Sequence, residues 1–418
     1  MKNWIPVLLV LLALSGQVKL ASSLFHTQDP IKSPIPRQCN NSFIKHLIPL
    51  AYPFETRKTI TEDGYINTMF RLQKKGTRIT PGKPVVYIQH GLYSGGGTWF
   101  DNSEDQAAPF IFANAGFDVW IGNNRGSRYS RSHVNLTATD KAYWEFSFDE
   151  MARYDVPAFI ALIRNVTGVE KIVYIGHSQG TTQMFAALSD AEIRPKVAPF
   201  VKQFHALAPI VFMNQPKGAT AQELADSLFD GAKKTLAGGV NYLSIGSCVW
   251  DQQAIDFYNK YCEANRLTCA KNYAKDWSAS PEIAARIDNW PRAGYKKEID
   301  VSGSSVGNLV HLGQLIVSQL KKSGSFPKYD YGPAGNLKKY GTKTAPLYDL
   351  GLIKETVRMW VGSEDIFATI PEADALVKAA KNADISYEVI QEWGHCAFQF
   401  AAETHKFYLR IIDVINRG

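Results

Sequence analysis

The pentapeptide Gly176-His177-Ser178-Gln179-Gly180 constrains this chain more than any other stretch. Lys171-Ile172-Val173-Tyr174-Ile175 before it is short, apolar and β-branched, the pattern of a buried strand. The run from Thr181 to Leu188 after it reads as a helix. A serine on so tight a strand-to-helix turn is forced into a strained backbone conformation. Gly176 and Gly180 are then required, because a Cβ at either place collides with the neighbouring strand or helix. Such a turn lifts Ser178 Oγ above the sheet and points it at a helix N-terminus. The pentapeptide alone recurs by chance, so residues elsewhere must complete the chemistry.

A serine hydroxyl is a poor nucleophile until a base takes its proton, and neutral imidazole suits that task. A carboxylate behind the imidazole fixes its tautomer and stabilises the imidazolium. Both types occur downstream. Thr356 to Val361 reads as a strand and ends in Gly362-Ser363-Glu364-Asp365. Ser386 to Ile390 reads as another strand and leads to Trp393-Gly394-His395. A helix from Pro371 to about Lys381 fits between them, with proline in its first turn. The chain order Ser178, Asp365, His395 is that of an α/β-hydrolase. Glu364 and Asp374 compete for the acid role. Asp365 is preferred because it follows the strand directly and precedes Ile366-Phe367.

An oxyanion hole is also needed. One donor is expected from the backbone N–H of Gln179, the other from the loop after an early strand. Pro84 to Gln89 is such a strand, and His90-Gly91-Leu92 comes directly after it, which points to the Leu92 N–H. His90 and His177 read as structural. The expected fold is α/β: a mostly parallel central sheet with helices on both faces. Far more chain separates Ser178 from Asp365 than two further βα units require, about sixty to eighty residues. The excess falls in residues 215–345, with amphipathic stretches at Ala221–Leu228 and Asn308–Leu320 and a turn-rich piece from Ser323 to Gly335. A mainly helical cap over the C-terminal ends of the strands fits, since ligands bind there. Residues 23–214 and 346–418 are then the two parts of the hydrolase core.

Residues 1–22 read as a secretory signal peptide. Lys2 supplies the positive start, Trp4 to Leu14 the apolar stretch, and small residues the cleavage sites. Sequons at Asn40, Asn135 and Asn165 suit that compartment. Cys39, Cys248, Cys262, Cys269 and Cys396 make an odd count, so at least one thiol stays unpaired within the chain. Cys396, beside His395, reads as an inert buried thiol. No cysteine–histidine spacing suggests zinc, and no metal or organic cofactor is called for. Net charge is +7, which favours an anionic lipid–water interface or bile-type amphiphiles. The basic residues are scattered, with only short pairs such as Lys321-Lys322 and Lys338-Lys339, so a nucleic-acid role is not expected.

Several longer motifs resemble the acid lipases, the family of gastric and lysosomal acid lipase. They include Tyr52-Pro53-Phe54-Glu55 with Thr61-Glu62-Asp63-Gly64-Tyr65, then His90-Gly91-Leu92, and Gly122-Asn123-Asn124-Arg125-Gly126 with Ser130-Arg131-Ser132-His133. The run Tyr143 to Pro157 is the most specific. Gly303-Ser304-Ser305-Val306 with Asn308 and His311, and also Pro346 to Leu350, are similar to the family's cap segment. The resemblance spans nearly the whole mature chain. It implies Ser178, Asp365 and His395 as triad, Leu92 and Gln179 as oxyanion donors, and a short cap disulfide between Cys262 and Cys269. It implies a secreted or lysosomal lipase acting on triacylglycerol or sterol esters at a lipid–water interface. Ile366-Phe367-Ala368 and Cys396-Ala397-Phe398 depart from the family pattern, which bears on acyl or sterol preference rather than on reaction type. A short-chain carboxylesterase and a silent lipid-binding protein on the same scaffold stay open as rivals.

Overall fold

The computed structural model describes residues 50–237, 242–243, 265, 268, 271, 274–275, 278–287 and 302–418. The chain opens with β1 (Phe54–Ile60) and β2 (Tyr65–Leu72), an antiparallel pair. Then come β3 (Val85–Gln89), α1 (Ala108–Asn114), β4 (Asp118–Gly122) and the short β5 (Ser132–His133). Next are α2 (Val156–Thr167), β6 (Ile172–His177), α3 (Gln179–Leu188) and β7 (Val201–Leu207). These strands lie in the order β1-β2-β4-β3-β6-β7, and β5 pairs with β2.

The middle of this sheet is parallel, with β3 between β4 and β6. Its strands carry unbroken apolar runs such as Val85-Val86-Tyr87-Ile88 and Ile172-Val173-Tyr174-Ile175, all buried. That pattern belongs to strands covered on both faces. The chain leaves β3 toward β4 on one side and returns to β6 on the other. The strand order therefore reverses at β3, and in open α/β sheets the crevice at such a reversal is where ligands bind.

Residues after β7 form α4 (Ala221–Ala237), β8 (Tyr242–Leu243), α5 (Pro281–Ile287), β9 (Ser304–Ser305), α6 (Val306–Lys321) and α7 (Gly332–Tyr340). α4 and α6 pack against each other, and Gly313 of α6 lets the Phe229 ring of α4 approach. The stretch from Ser323 to Gly335 is not turn-like throughout: it enters α7 at Gly332, where Pro333 presets the first turn. Asp149 of the core accepts from the Tyr329 N–H at 2.8 Å and the Tyr348 hydroxyl at 2.6 Å, which fastens this end of the segment.

The chain then adds β10 (Thr356–Gly362), α8 (Ile370–Ala379), β11 (Asp384–Ile390) and α9 (Thr404–Arg417). β10 pairs in parallel with β7 and β11, which extends the main sheet beyond β7. The helix expected from Pro371 to Lys381 stops two residues sooner, and its strand partner starts two residues earlier, at Asp384. Among the described residues, no helix is long and apolar enough to cross a membrane.

Candidate active site

Ser178 occupies the turn between β6 and α3 with φ 53° and ψ −122°, a left-handed conformation that costs a non-glycine residue of order 1–3 kcal/mol. Close backbone packing holds it there. A Cβ on Gly176 would lie 2.6 Å from Gly180 O, and one on Gly180 would lie 2.6 Å from Gln89 O and 2.8 Å from His90 O. A Cβ on Gly91 would meet Ser178 Cβ at 2.9 Å and Oγ at 3.3 Å. The loop after β3 thus lies directly against the serine.

His395 reaches the serine from the loop after β11. Its Nε2 lies 2.8 Å from Ser178 Oγ, and its Nδ1 lies 2.9 Å and 3.1 Å from the two oxygens of Asp365. Nδ1 thus carries the proton toward the carboxylate and leaves Nε2 free to accept from the serine. Asp365 is fully buried, and its Oδ1 accepts from the N–H groups of Phe367 at 2.8 Å and Ala368 at 3.0 Å. This is an Asx-type turn that fixes the carboxylate. Of the three carboxylates weighed from sequence, Asp365 meets His395. Asp374 is exposed and accepts from the Tyr387 hydroxyl, and Glu364 meets the histidine loop through its backbone N–H, donated to Trp393 O. Gly362 makes that meeting possible, because any Cβ there would run into Trp393 O.

The two histidines read as structural are buried and keep neighbouring loops in place. His90 Nδ1 donates to Gly91 O at 2.8 Å, and its Nε2 accepts from the Asn124 N–H at 3.1 Å. Burial pushes its pKa down to about 4, so the ring stays neutral and can do both. His177 Nε2 donates to the backbone carbonyl of His395 at 2.7 Å. Burial, reinforced by the nearby His395, pushes its pKa down to about 3. Sequence reasoning missed this contact. No local signal could have revealed it, since the partner lies 218 residues along the chain.

Gln179 is buried at the start of α3, where the first N–H groups of any helix have no acceptor within the helix. Leu92 is half-buried, one residue past Gly91. Gln179 carries a further contact that sequence did not show, from Asn308 of α6. Asn135 and Asn165 are exposed, the latter on α2. Asn40, Cys262, Cys269 and the signal segment lie outside the described residues. Cys396 is half-buried, not buried as expected.

Residues 84–402 match the alpha/beta hydrolase fold family, and residues 45–103 match a partial alpha/beta-hydrolase lipase region. The chain is 33% identical to human lipase member N over 87% of its own length and 88% of the relative's. It is 32% identical to mouse gastric triacylglycerol lipase, over 87% of this chain and 89% of the relative. Lipase lipl-1 of Caenorhabditis elegans is 30% identical over 100% of this chain and 98% of the relative. The chain belongs to the gastric and acid lipase family of the α/β-hydrolase fold, and is a carboxylic ester hydrolase that acts on lipid esters.

Proposed function

We propose that Ser178, His395 and Asp365 carry out this hydrolysis as a catalytic triad on triacylglycerol or sterol esters. The observation that supports this most is the continuous hydrogen-bonded chain from Asp365 through His395 to a strained serine at the end of β6, beside the strand reversal at β3. Ser178 Oγ attacks the ester carbonyl while His395 Nε2 takes its proton. Asp365 holds the ring and stabilises the imidazolium. The tetrahedral oxyanion is received by the N–H groups of Gln179 and Leu92, each worth about 2.7–4 kcal/mol of transition-state stabilisation. The imidazolium then protonates the leaving alcohol. Water, deprotonated by His395, releases the fatty acid from the acyl-serine.

Residues 215–345 act as a cap over the C-terminal edge of the sheet. Two contacts support this: Lys217 N–H donates to Ile366 O at 3.0 Å and Ala279 N–H to Glu364 O at 2.6 Å, so two separate parts of the segment touch the Asp365 loop. The substrate is taken at a lipid–water interface, aided by the positive net charge. The protein works in the secretory pathway, as a secreted or lysosomal enzyme, and carries sugar on the exposed Asn135 and Asn165.

The test is fatty-acid release from emulsified long-chain triacylglycerol and cholesteryl ester, from acid to neutral pH. Ser178→Ala should lower turnover by more than about 10⁴-fold with the fold retained. Wild-type rates in that variant would sink the triad. Release from short-chain esters alone would favour a carboxylesterase.

A further inference from the structure

Asn308 is fully buried in the first turn of α6, yet the triad does not use it. The local structure explains why its side chain is fixed. Ser305 Oγ caps α6 by accepting from the Asn308 N–H at 2.9 Å, and it donates to Phe146 O. Gly307 keeps this turn close, because a Cβ there would lie 2.9 Å from the same carbonyl oxygen. With the turn pressed onto the core in this way, Asn308 Nδ2 donates to Gln179 Oε1 at 2.8 Å and to Ser304 Oγ at 2.9 Å. Gln179 Nε2 donates in turn to Met151 Sδ at 3.2 Å. This fixes the sense of the amide pair. Flipping the Gln179 amide would set its oxygen against sulfur lone pairs and its NH₂ against that of Asn308.

We propose that Asn308 is a positioning residue for ester hydrolysis: by holding the Gln179 side chain it keeps the Gln179 N–H aimed at the oxyanion. This rests on the reading of that N–H as an oxyanion donor. The direction of the N–H is set by the peptide plane between Ser178 and Gln179, which is governed by ψ of a serine already in a strained conformation. Gln179 is the first residue of α3, so no intrahelical hydrogen bond restrains its N–H. A side chain clamped at its tip by Asn308 and Met151 restrains that plane from the other side. Because α6 belongs to the segment between β7 and β10, the oxyanion hole then depends on that segment being docked.

The decisive measurement is a double-mutant cycle on a soluble p-nitrophenyl ester, which removes interfacial binding from the kinetics. The variants are Asn308→Ala, Gln179→Ala, the pair together, and Ser178→Ala, each checked for folding by thermal unfolding. Asn308→Ala should lower kcat by about tenfold to a hundredfold, less than the loss of a whole donor, with KM within about twofold. Gln179→Ala should do the same, since it keeps the N–H but loses the clamp. The double variant should be no slower than the slower single, because both cut one contact. A wild-type kcat in folded Asn308→Ala, a change confined to KM, or losses that multiply would each overturn the proposal. If Asn308→Ala does not fold, folded Gln179→Ala decides: a wild-type kcat there overturns it as well. Ser178→Ala separates the two levels. Activity in that variant rejects the triad itself, whereas a dead Ser178→Ala beside a normal Asn308→Ala rejects only the clamp.

Discussion

The turn that carries Ser178 and the loop that carries His395 are held by different means. Around Ser178 the tightest restraints are close approaches to glycines: Gly180 against Gln89 O and His90 O, Gly176 against Gly180 O, Gly91 against the serine itself. Around His395 they are side-chain hydrogen bonds, from the ring Nδ1–H to Asp365 and from His177 to the carbonyl, with the Phe367 ring edge-on at 5.2 Å. In the triad proposed above, the strained serine must be locked by atoms that have nowhere to go. The proposed base takes and returns a proton and needs partners that stabilise charge, and these have more give. Changes to the glycines packed around the serine should therefore be all-or-none, and those on the histidine side graded.

Gly180→Ala tests the rigid side and should have the largest effect. Its new Cβ meets two carbonyl oxygens of the β3 end below contact distance, and backbone cannot rotate away as a side chain can. The expected result is loss of soluble folded protein, or destabilisation above about 3 kcal/mol together with loss of ester hydrolysis. A normal melting temperature and rate would show that the turn is not locked by contact. Asp365→Asn comes next. It should fold, but with kcat down by about 10⁴, because the ring loses the carboxylate that sets its tautomer. A loss under about tenfold would mean that another group orients the imidazole.

His177→Phe should be milder still. The ring keeps its place among Trp99 and Phe398, but the hydrogen bond from His177 to the His395 carbonyl is lost. Losing one buried hydrogen bond costs about 0.5–1.5 kcal/mol of stability, and a slight shift of His395 should lower kcat by about tenfold. Since His177 stays neutral down to about pH 3, the contact persists in acid, and the ratio of variant to wild-type kcat should be flat from pH 4 to 7. A ratio that varies across that range would point to titration of His177 instead.

The serine side was more legible in sequence than the histidine side, for the same reason. Gly176 and Gly180 flank the serine within five residues, and the strand and helix on either side are continuous apolar runs, so local pattern sufficed. Asp365 and His395 were legible as residue types at the ends of strands, though only their meeting in space separates Asp365 from Glu364. The contacts that fix the site beyond these residues, from His177 to His395 and, on the serine side, from Asn308 to Gln179, join residues more than a hundred apart in sequence. They depend on where whole elements pack, and no periodicity reports that. Gly362 was visible as a glycine after a strand, but the reason for it lies in a loop that returns some thirty residues later. Among the helices, α7 was hidden because glycine, proline and tyrosine at its start read as turn.

The smallest effect concerns stability rather than rate, and it extends the contrast to the helix beyond the Asp365 loop. Glu372, in the first turn of α8, is buried, and its Oε1 accepts from the Gln215 N–H at 2.7 Å where the chain runs from β7 toward α4. Its other oxygen has no hydrogen-bond partner among the described residues. Burial outweighs the backbone donors and pushes the pKa up to about 7. In the unfolded chain the same carboxyl loses its proton near its ordinary value of 4.5. Between those two values the folded state binds more protons, so the contribution of Glu372 to stability falls as pH rises and levels off above about 7. Glu372→Gln should therefore match wild type at pH 4 and exceed it at pH 7.5 by about 1–3 kcal/mol in chemical unfolding. The buried histidines titrate in the opposite sense, losing stability as pH falls, but they are common to both proteins and cancel in the difference. Equal stability at pH 7.5 would mean the carboxylate is solvated at this contact, and that this contact is looser than the serine's turn.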